Sequence, residues 1–281
     1  MLEHTFCHIP GLGVKTERNL WQAGVRTWDD WQQPPPVPLR TGYPAEIPGI
    51  LQASLKALAD DPAFFASRLA ASEQWRIFPH FRQKTAYIDI ETTGLAIESE
   101  ITTIAVYDGT DIYHFINGRN LADFPEFIQQ YQVLVSYNGK SFDVPFLERF
   151  FRIRLRQAHI DLRYILGRLG FRGGLKGCEK QLGLDRGYLE GVDGYFAVLL
   201  WHEYELCHDE QALETLLAYN IADTVNLERL AIEAYNRNIA TLPFATELTL
   251  DWPTPPSLPF QAHPDCIERI RRKYPQYRPF S

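Results

Sequence analysis

Asp89 and Glu91 stand two residues apart at the end of the run Thr85-Ala86-Tyr87-Ile88-Asp89-Ile90. Residues two apart on a strand project from the same face, so these carboxylates lie side by side and repel each other, more strongly if buried. A divalent cation would remove that conflict; the alternative is an exposed strand end with two solvated acids. A third acid, Asp143, closes Ser136-Tyr137-Asn138-Gly139-Lys140-Ser141-Phe142-Asp143. There an apolar run stops at an Asn-Gly turn and Pro145 falls in the first turn of a helix, where an aspartate can serve simply as a cap. Gly139-Lys140-Ser141 resembles the end of a phosphate-binding loop, but that motif needs a glycine five residues earlier, and position 134 is Leu. The fourth acid ends Tyr219-Asn220-Ile221-Ala222-Asp223. Tyr219 and Asp223 are one helical turn apart and share a face with Leu216, Leu227 and Leu230. Asp223 is therefore expected to be partly buried and to need a partner, either a cation or an arginine.

The elements that must carry these residues can be read in outline. Thr85–Ile90, Ile101–Tyr107 and Asp111–Ile116 are β-branched and aromatic runs; an Asp108-Gly109 turn joins the second and third, which predicts an antiparallel meander. A helix near Phe124–Tyr131 leads to a buried-type strand, Val133–Ser136, and the chain from there to Tyr235 reads as mainly helical, with a long helix over Gln211–Tyr235. Strands first and strand–helix alternation afterwards predict an α/β mixed sheet flanked by helices. Residues 1–82 read as a small helical region, with helices over Lys15–Ala23 (ended by Gly24), after Thr27, near Ile50–Ala59 and over Pro62–Ala71. The run Pro34-Pro35-Pro36 predicts extended chain. Residues 241–281 form a proline-rich tail expected to wrap the surface, and its Arg269-Ile270-Arg271-Arg272-Lys273 reads as a solvated helix end. The expected division is 1–82, 83–240 and 241–281.

Composition narrows the class. Of 281 residues, 45% are hydrophobic and 22% charged, which suits a globular chain with a sizeable core. No apolar run is long enough for a membrane span. The N-terminus lacks the pattern of a secretory signal, and Cys7, Cys178, Cys207 and Cys266 stand too far apart for a zinc motif, so reduced thiols in a cytoplasmic protein are expected. The net charge of −7 argues against a nucleic-acid partner, but it is unevenly spread. Nine basic residues and two acids between Arg149 and Lys180 make that segment +7, leaving −14 on the rest of the chain. The segment is either a solvated helical face or a phosphate-tracking surface.

In combination, Asp-x-Glu, then Asn-x-x-x-Phe-Asp, then Tyr-x-x-x-Asp resemble the three exonuclease motifs of the DEDD superfamily in its tyrosine-containing branch. Tyr87-Ile88-Asp89-Ile90-Glu91-Thr92-Thr93-Gly94-Leu95, Gly173-Gly174-Leu175-Lys176, and Asp193-Gly194 followed by Leu200-Trp201 are similar to the YprB-like family of predicted exonucleases. The resemblance covers about residues 84 to 236. It implies a ribonuclease-H-like fold and a 3′→5′ exonuclease acting on DNA or RNA, most naturally at a single-stranded 3′ end. It further implies two ions, Mg²⁺ or Mn²⁺, about 3.5–4 Å apart. Asp89, Glu91 and Asp223 would hold the first, and Asp89, with Asp143 mainly through water, the second. Tyr219 would orient the attacking water. The helical insert between Asp143 and Asp223 is larger than in minimal exonucleases.

Around this core, Asn138, Arg152, Arg156 and Lys176 are candidate nucleic-acid contacts. Asp161 is expected to cap the helix Leu162–Leu169 or to lie in the outer shell of the acids. The histidines form no metal pair. Ile9-Pro10-Gly11-Leu12-Gly13-Val14-Lys15, followed by Leu20, looks like a helix–hairpin–helix element whose Gly11 and Gly13 could expose backbone amides to phosphate; a purely structural hairpin fits the same residues. Two other readings of the whole chain are a catalytically idle nucleic-acid-binding adaptor and a hydrolase of short oligonucleotides.

Overall fold

Burial of one strand on both of its faces fixes the architecture. The computed structural model describes residues 1–39, 44–96 and 98–275. Strand β1 (Thr85–Thr92) is flanked on one side by β2 (Ile101–Tyr107), antiparallel, and on the other by β4 (Val133–Ser136), parallel; β3 (Ile112–Ile116) pairs antiparallel with β2, and β5 (Ala158–Asp161) parallel with β4. The sheet order is β3-β2-β1-β4-β5, a mixed sheet with helices on both faces. The meander forms as the sequence predicts, and at its turn the Asp108 carboxylate accepts from the amides of Thr110 and Asp111. The fifth strand was not legible. Ala158–Asp161 is four residues long and lies at the sheet edge amid arginines, so no alternation can develop.

The helices are α1 (Val14–Gln22), α2 (Ile47–Asp60), α3 (Pro62–Ala66), α4 (Phe78–Phe81), α5 (Phe124–Phe127), α6 (Asp143–Phe151), α7 (Leu162–Arg168), α8 (Gly174–Gln181), α9 (Gly194–Cys207), α10 (Glu210–Ile239), α11 (Ala245–Leu248) and α12 (Pro264–Lys273). Ala86, Ile88 and Ile90 of β1 pack with Phe124, Phe146 and Leu147 of α5 and α6 on one face of the sheet. The other face lies under the 30-residue α10, which also packs on α9.

Several expectations need correcting. The helix from Pro62 ends at Ala66 rather than Ala71, because side chains take up its last carbonyls: Arg68 donates to Phe64 and Gln74 to Ala66. The helix expected over Phe124–Tyr131 stops at Phe127 and finishes as a 3₁₀ turn, Ile128–Gln130. Among the described residues, a 3₁₀ turn, Leu2–His4, stands before the Gly11 turn where a helix–hairpin–helix would carry its first helix. The tail does more than wrap the surface: Cys266, Ile267 and Ile270 of α12 are buried in the cluster formed by α9 and α10. Its basic residues form an exposed helix end, as expected, with Arg269 paired to Asp209, Arg272 to Glu268 and Lys273 to Glu203. A single hydrophobic cluster joins Phe6, Trp28, Phe65 and Trp75 to Tyr87, Leu227 and Tyr235, so residues 1–82 share a core with the sheet domain. No helix among the described residues is long and apolar enough to cross a membrane, and all four cysteines are free.

Candidate active site

The site is assembled from the C-terminal ends of β1 and β4 and from one face of α10. Asp89 and Glu91 leave β1 on the face opposite Ile88 and Ile90, and the ladder to β2 is irregular between Glu91 and Thr92, where the strand ends. Asp143 is the first residue of α6; the helix cap itself is Phe142, so Asp143 is not the simple cap its position suggested. Tyr219 and Asp223 come from the middle of α10, on the side that crosses β1 and β2. A cavity of about 850 Å³ is lined by Asp89, Glu91, Asp143, Tyr219 and Asp223 together.

The turn that delivers Asp143 is tightly specified. Asn138 adopts a left-handed backbone conformation (φ 68°). At Gly139 a Cβ would come within 2.7 Å of the Ser136 Cβ, so no larger residue fits. Asp161 holds this turn from beneath. Its buried carboxylate accepts from the amides of Asn138 (2.8 Å), Lys140 (3.1 Å) and Arg163 (3.0 Å), the last of these capping α7 as expected.

Charge is unevenly compensated here. Glu91, Asp143 and Asp223 are each more than nine-tenths buried, and Asp89 is half-buried at the cleft. Burial first, and then the charges of Glu91, Asp143 and Asp223, push the Asp89 carboxyl well above the carboxylate range, against a hydrogen bond from Asn220. Glu91 is raised by burial and by Asp223, and is relieved in part by Lys176 and Arg186. Asp143 is pushed up to about 7 by burial, against the backbone amides of Asp143 itself and Ile90. The Tyr219 hydroxyl is likewise raised, chiefly by burial and then by Asp223, so it stays protonated. Two residues that sequence reading passed over tune this set. Asn220 donates to Asp89 Oδ2 (2.7 Å) and accepts from Thr103 Oγ1 on β2 (3.1 Å). Arg186, 6% exposed at its side chain, pairs with both Asp223 and Glu179. The arginine weighed above as a partner for Asp223 is therefore present. Among the described residues no three His, Cys, Asp or Glu side chains are grouped to hold one metal ion.

The proposed nucleic-acid contacts separate. Asn138 lines the cavity, and its Oδ1 accepts from Arg163. Lys176 lies over the Tyr219 ring, 4.7 Å from the centroid, and donates to the Val192 carbonyl. Arg152 and Arg156 are exposed and do not line the cavity; Arg163 and Arg172 from the same basic segment do. That segment runs through α6, β5, α7 and α8, so it is not the face of one helix. Gly11 and Gly13 are exposed, away from the cavity lining.

The model of the RNase_H superfamily matches residues 86–235, just over half of the chain, and takes in the sheet from Ala86 onward with α10 up to Tyr235. The chain belongs to the RNase_H superfamily. The mixed five-stranded sheet with helices on both faces is a ribonuclease-H-like fold. No curated protein sequence matches the chain. Among solved structures it is similar to the family B DNA polymerase from the hyperthermophilic archaeon Pyrobaculum calidifontis, at 18% identity and a TM-score of 0.45. That similarity covers 58% of this chain and 26% of the polymerase chain, so this chain spans about a quarter of the polymerase's length. In this RNase H-like chain all five residues at the cavity floor lie within the matched segment.

Proposed function

We propose that the chain is a metal-dependent 3′→5′ exonuclease that hydrolyses phosphodiester bonds of DNA or RNA by a two-metal-ion mechanism. The observation that carries this reading is the set of four carboxylates and one tyrosine on a single cavity, with fewer cations than acids around them. The polarity and the tyrosine-type DEDD assignment rest on the motif resemblance.

The residues fit a hard divalent cation. The donors are all carboxylate oxygens, which suit Mg²⁺ or Mn²⁺, and their mutual repulsion is what such a cation would offset. Asp89, Glu91 and Asp223 would hold one ion and Asp89 with Asp143 the other. Bound ions supply hydroxide from water near neutral pH and stabilise the leaving oxygen. Asn220 fixes the Asp89 carboxylate through Oδ2, and Asp89 lines the cavity. Tyr219, kept protonated and packed under Lys176, offers a hydroxyl that can orient a water without taking its proton. Tyr137, Phe142 and Tyr164 line the same cavity and offer aromatic rings on which unpaired bases can stack. Arg163 and Arg172 beside them supply charge for the backbone. This combination favours a single-stranded 3′ end.

The test is release of mononucleotides from end-labelled DNA and RNA in Mn²⁺, with chelator as the control. Metal-dependent shortening from the 3′ end is expected. Binding without cleavage, or cleavage that survives chelator, would refute the proposal.

A further inference from the structure

The two cations beside the acids are held differently. Lys176 ends on a backbone carbonyl and an aromatic ring. Arg186 spans two carboxylates, giving Nη1 to Glu179 Oε2 and Nη2 to Asp223 Oδ1. Glu179 is completely buried and is also held by Asn226 Nδ2 at 2.7 Å. One end of the bridge is thus anchored in the interior, and the other end takes a carboxylate of the cleft. Arg186 lies outside the helices, between α8 and the 3₁₀ turn Gly187–Leu189, with left-handed glycines at 183 and 187 close on either side.

We propose that Arg186 is a positioning residue that acts as the resident counter-ion of Asp223. Loading of a divalent cation then exchanges the guanidinium for the metal at Asp223, while Arg186 stays anchored on Glu179. This rests on the metal-dependent reading above. A guanidinium and a metal ion compete for the same carboxylate lone pairs, and they repel each other in an environment that screens charge poorly. The bridge therefore stabilises the metal-free protein, where a buried acid without a partner is costly, and weakens the first cation's hold.

The prediction concerns binding and needs no turnover. Mn²⁺ affinity of the full chain is measured by calorimetry without nucleic acid, alongside melting temperature with and without Mn²⁺. Arg186→Gln removes the competitor and the repulsion, so it should bind Mn²⁺ about tenfold tighter or more, the equivalent of ~1.4 kcal/mol. It should also melt lower without metal and gain more from metal than wild type does. Arg186→Lys keeps the charge but cannot bridge both acids; it should fall between the two, and it decides the matter if the Gln variant does not fold. Affinity equal to or weaker than wild type in a folded variant would make Arg186 a strut that holds Asp223 in place as a ligand, and would overturn the proposal. If wild type itself binds no Mn²⁺, both this inference and the metal-dependent reading fail, whereas unchanged affinity sinks only the inference.

Discussion

Two clusters of buried acids differ in how their charge is balanced. In the first, Glu17 and Glu73 face Arg76, with distances of 2.9 Å and 3.0 Å from its Nη2, and Arg168 pairs with Glu73 from the other side. Glu17 also accepts from the amides of Phe6 (2.6 Å) and Cys7 (3.1 Å). Two acids meet two bases, and this cluster ties the N-terminal turn and α1 to the 3₁₀ segment Ala71–Arg76 and to α7. In the second, Asp89, Glu91, Asp143 and Asp223 share the cavity with Arg186 and Lys176 nearby, and Glu179 claims part of Arg186. A balanced buried cluster is a fastening. An unbalanced one that opens on a cavity keeps its acids at the expense of stability, which marks a candidate functional site.

The sharpest way to break this comparison is to neutralise one acid in each cluster. Asp89→Asn should reduce cleavage to background, a loss on the order of 10⁴-fold or more. Without metal the same variant should be at least as stable as wild type, because it relieves repulsion from three neighbours. Melting curves in chelator check this, and a clearly destabilised variant would mean that Asp89 is a fastening too. Glu17→Ala should do the reverse. It should cost about 3–5 kcal/mol in denaturant unfolding, yet leave activity per folded molecule unchanged.

Tyr219→Phe separates the hydroxyl from the ligands. The ring, its packing under Lys176 and the acids all remain, so Mn²⁺ affinity should hold while turnover falls by about 10²-fold. A parallel collapse of affinity and rate in a binding titration would assign the hydroxyl to the scaffold.

Titration offers a finer probe of the unbalanced cluster. Asp143, held at about 7 against 3.8 ordinarily, keeps its proton in the folded state after the unfolded chain has lost its own. Its contribution is therefore fully present below about pH 4 and is lost as pH rises to about 7. Metal-free protein should lose stability over that window, by roughly a few kcal/mol at most, and Asp143→Asn should flatten the curve there. Metal affinity should rise over the same range, because the ion needs the deprotonated carboxylate.

How far the sequence alone carried these regions also differs between them. β1, β2 and α10 were legible because long apolar patterns specify them, and the four-residue β4 because it runs apolar into an Asn-Gly turn; the acids stood out because their spacing on those elements resembles a set of exonuclease motifs. Arg186 was not, since it lies in an irregular loop and meets Asp223 across 37 residues of chain. Asn220 sat inside a quoted motif, but its bond to Asp89 spans 131 residues and depends on where α10 crosses β1. The Glu17–Arg76 pair was invisible for the same reason, because tertiary packing alone makes the contact. Charge counting along the chain correctly found a basic segment, but it could not say which arginines face the cleft.

That last gap yields the smallest and most specific prediction. Arg152 and Arg156 are exposed away from the cavity, whereas Arg163 and Arg172 line it beside the aromatic rings. Each arginine that neutralises a phosphate contributes about one unit to the slope of log affinity against log salt. In an Asp89→Asn background, which prevents cutting, Arg163→Gln with Arg172→Gln should therefore flatten the slope for single-stranded oligonucleotides by up to ~2. Arg152→Gln with Arg156→Gln should leave that slope nearly unchanged. A short oligonucleotide reaches only the cavity, so a long strand is the second arm. If the outer pair, or Gly11→Ala with Gly13→Ala, weakens binding of long strands alone, the basic segment and the N-terminal turn extend the path beyond the cleft. If the outer pair governs the slope on short strands as well, the backbone does not run past Arg163 and Arg172, and the strand must enter from the opposite side of the cavity.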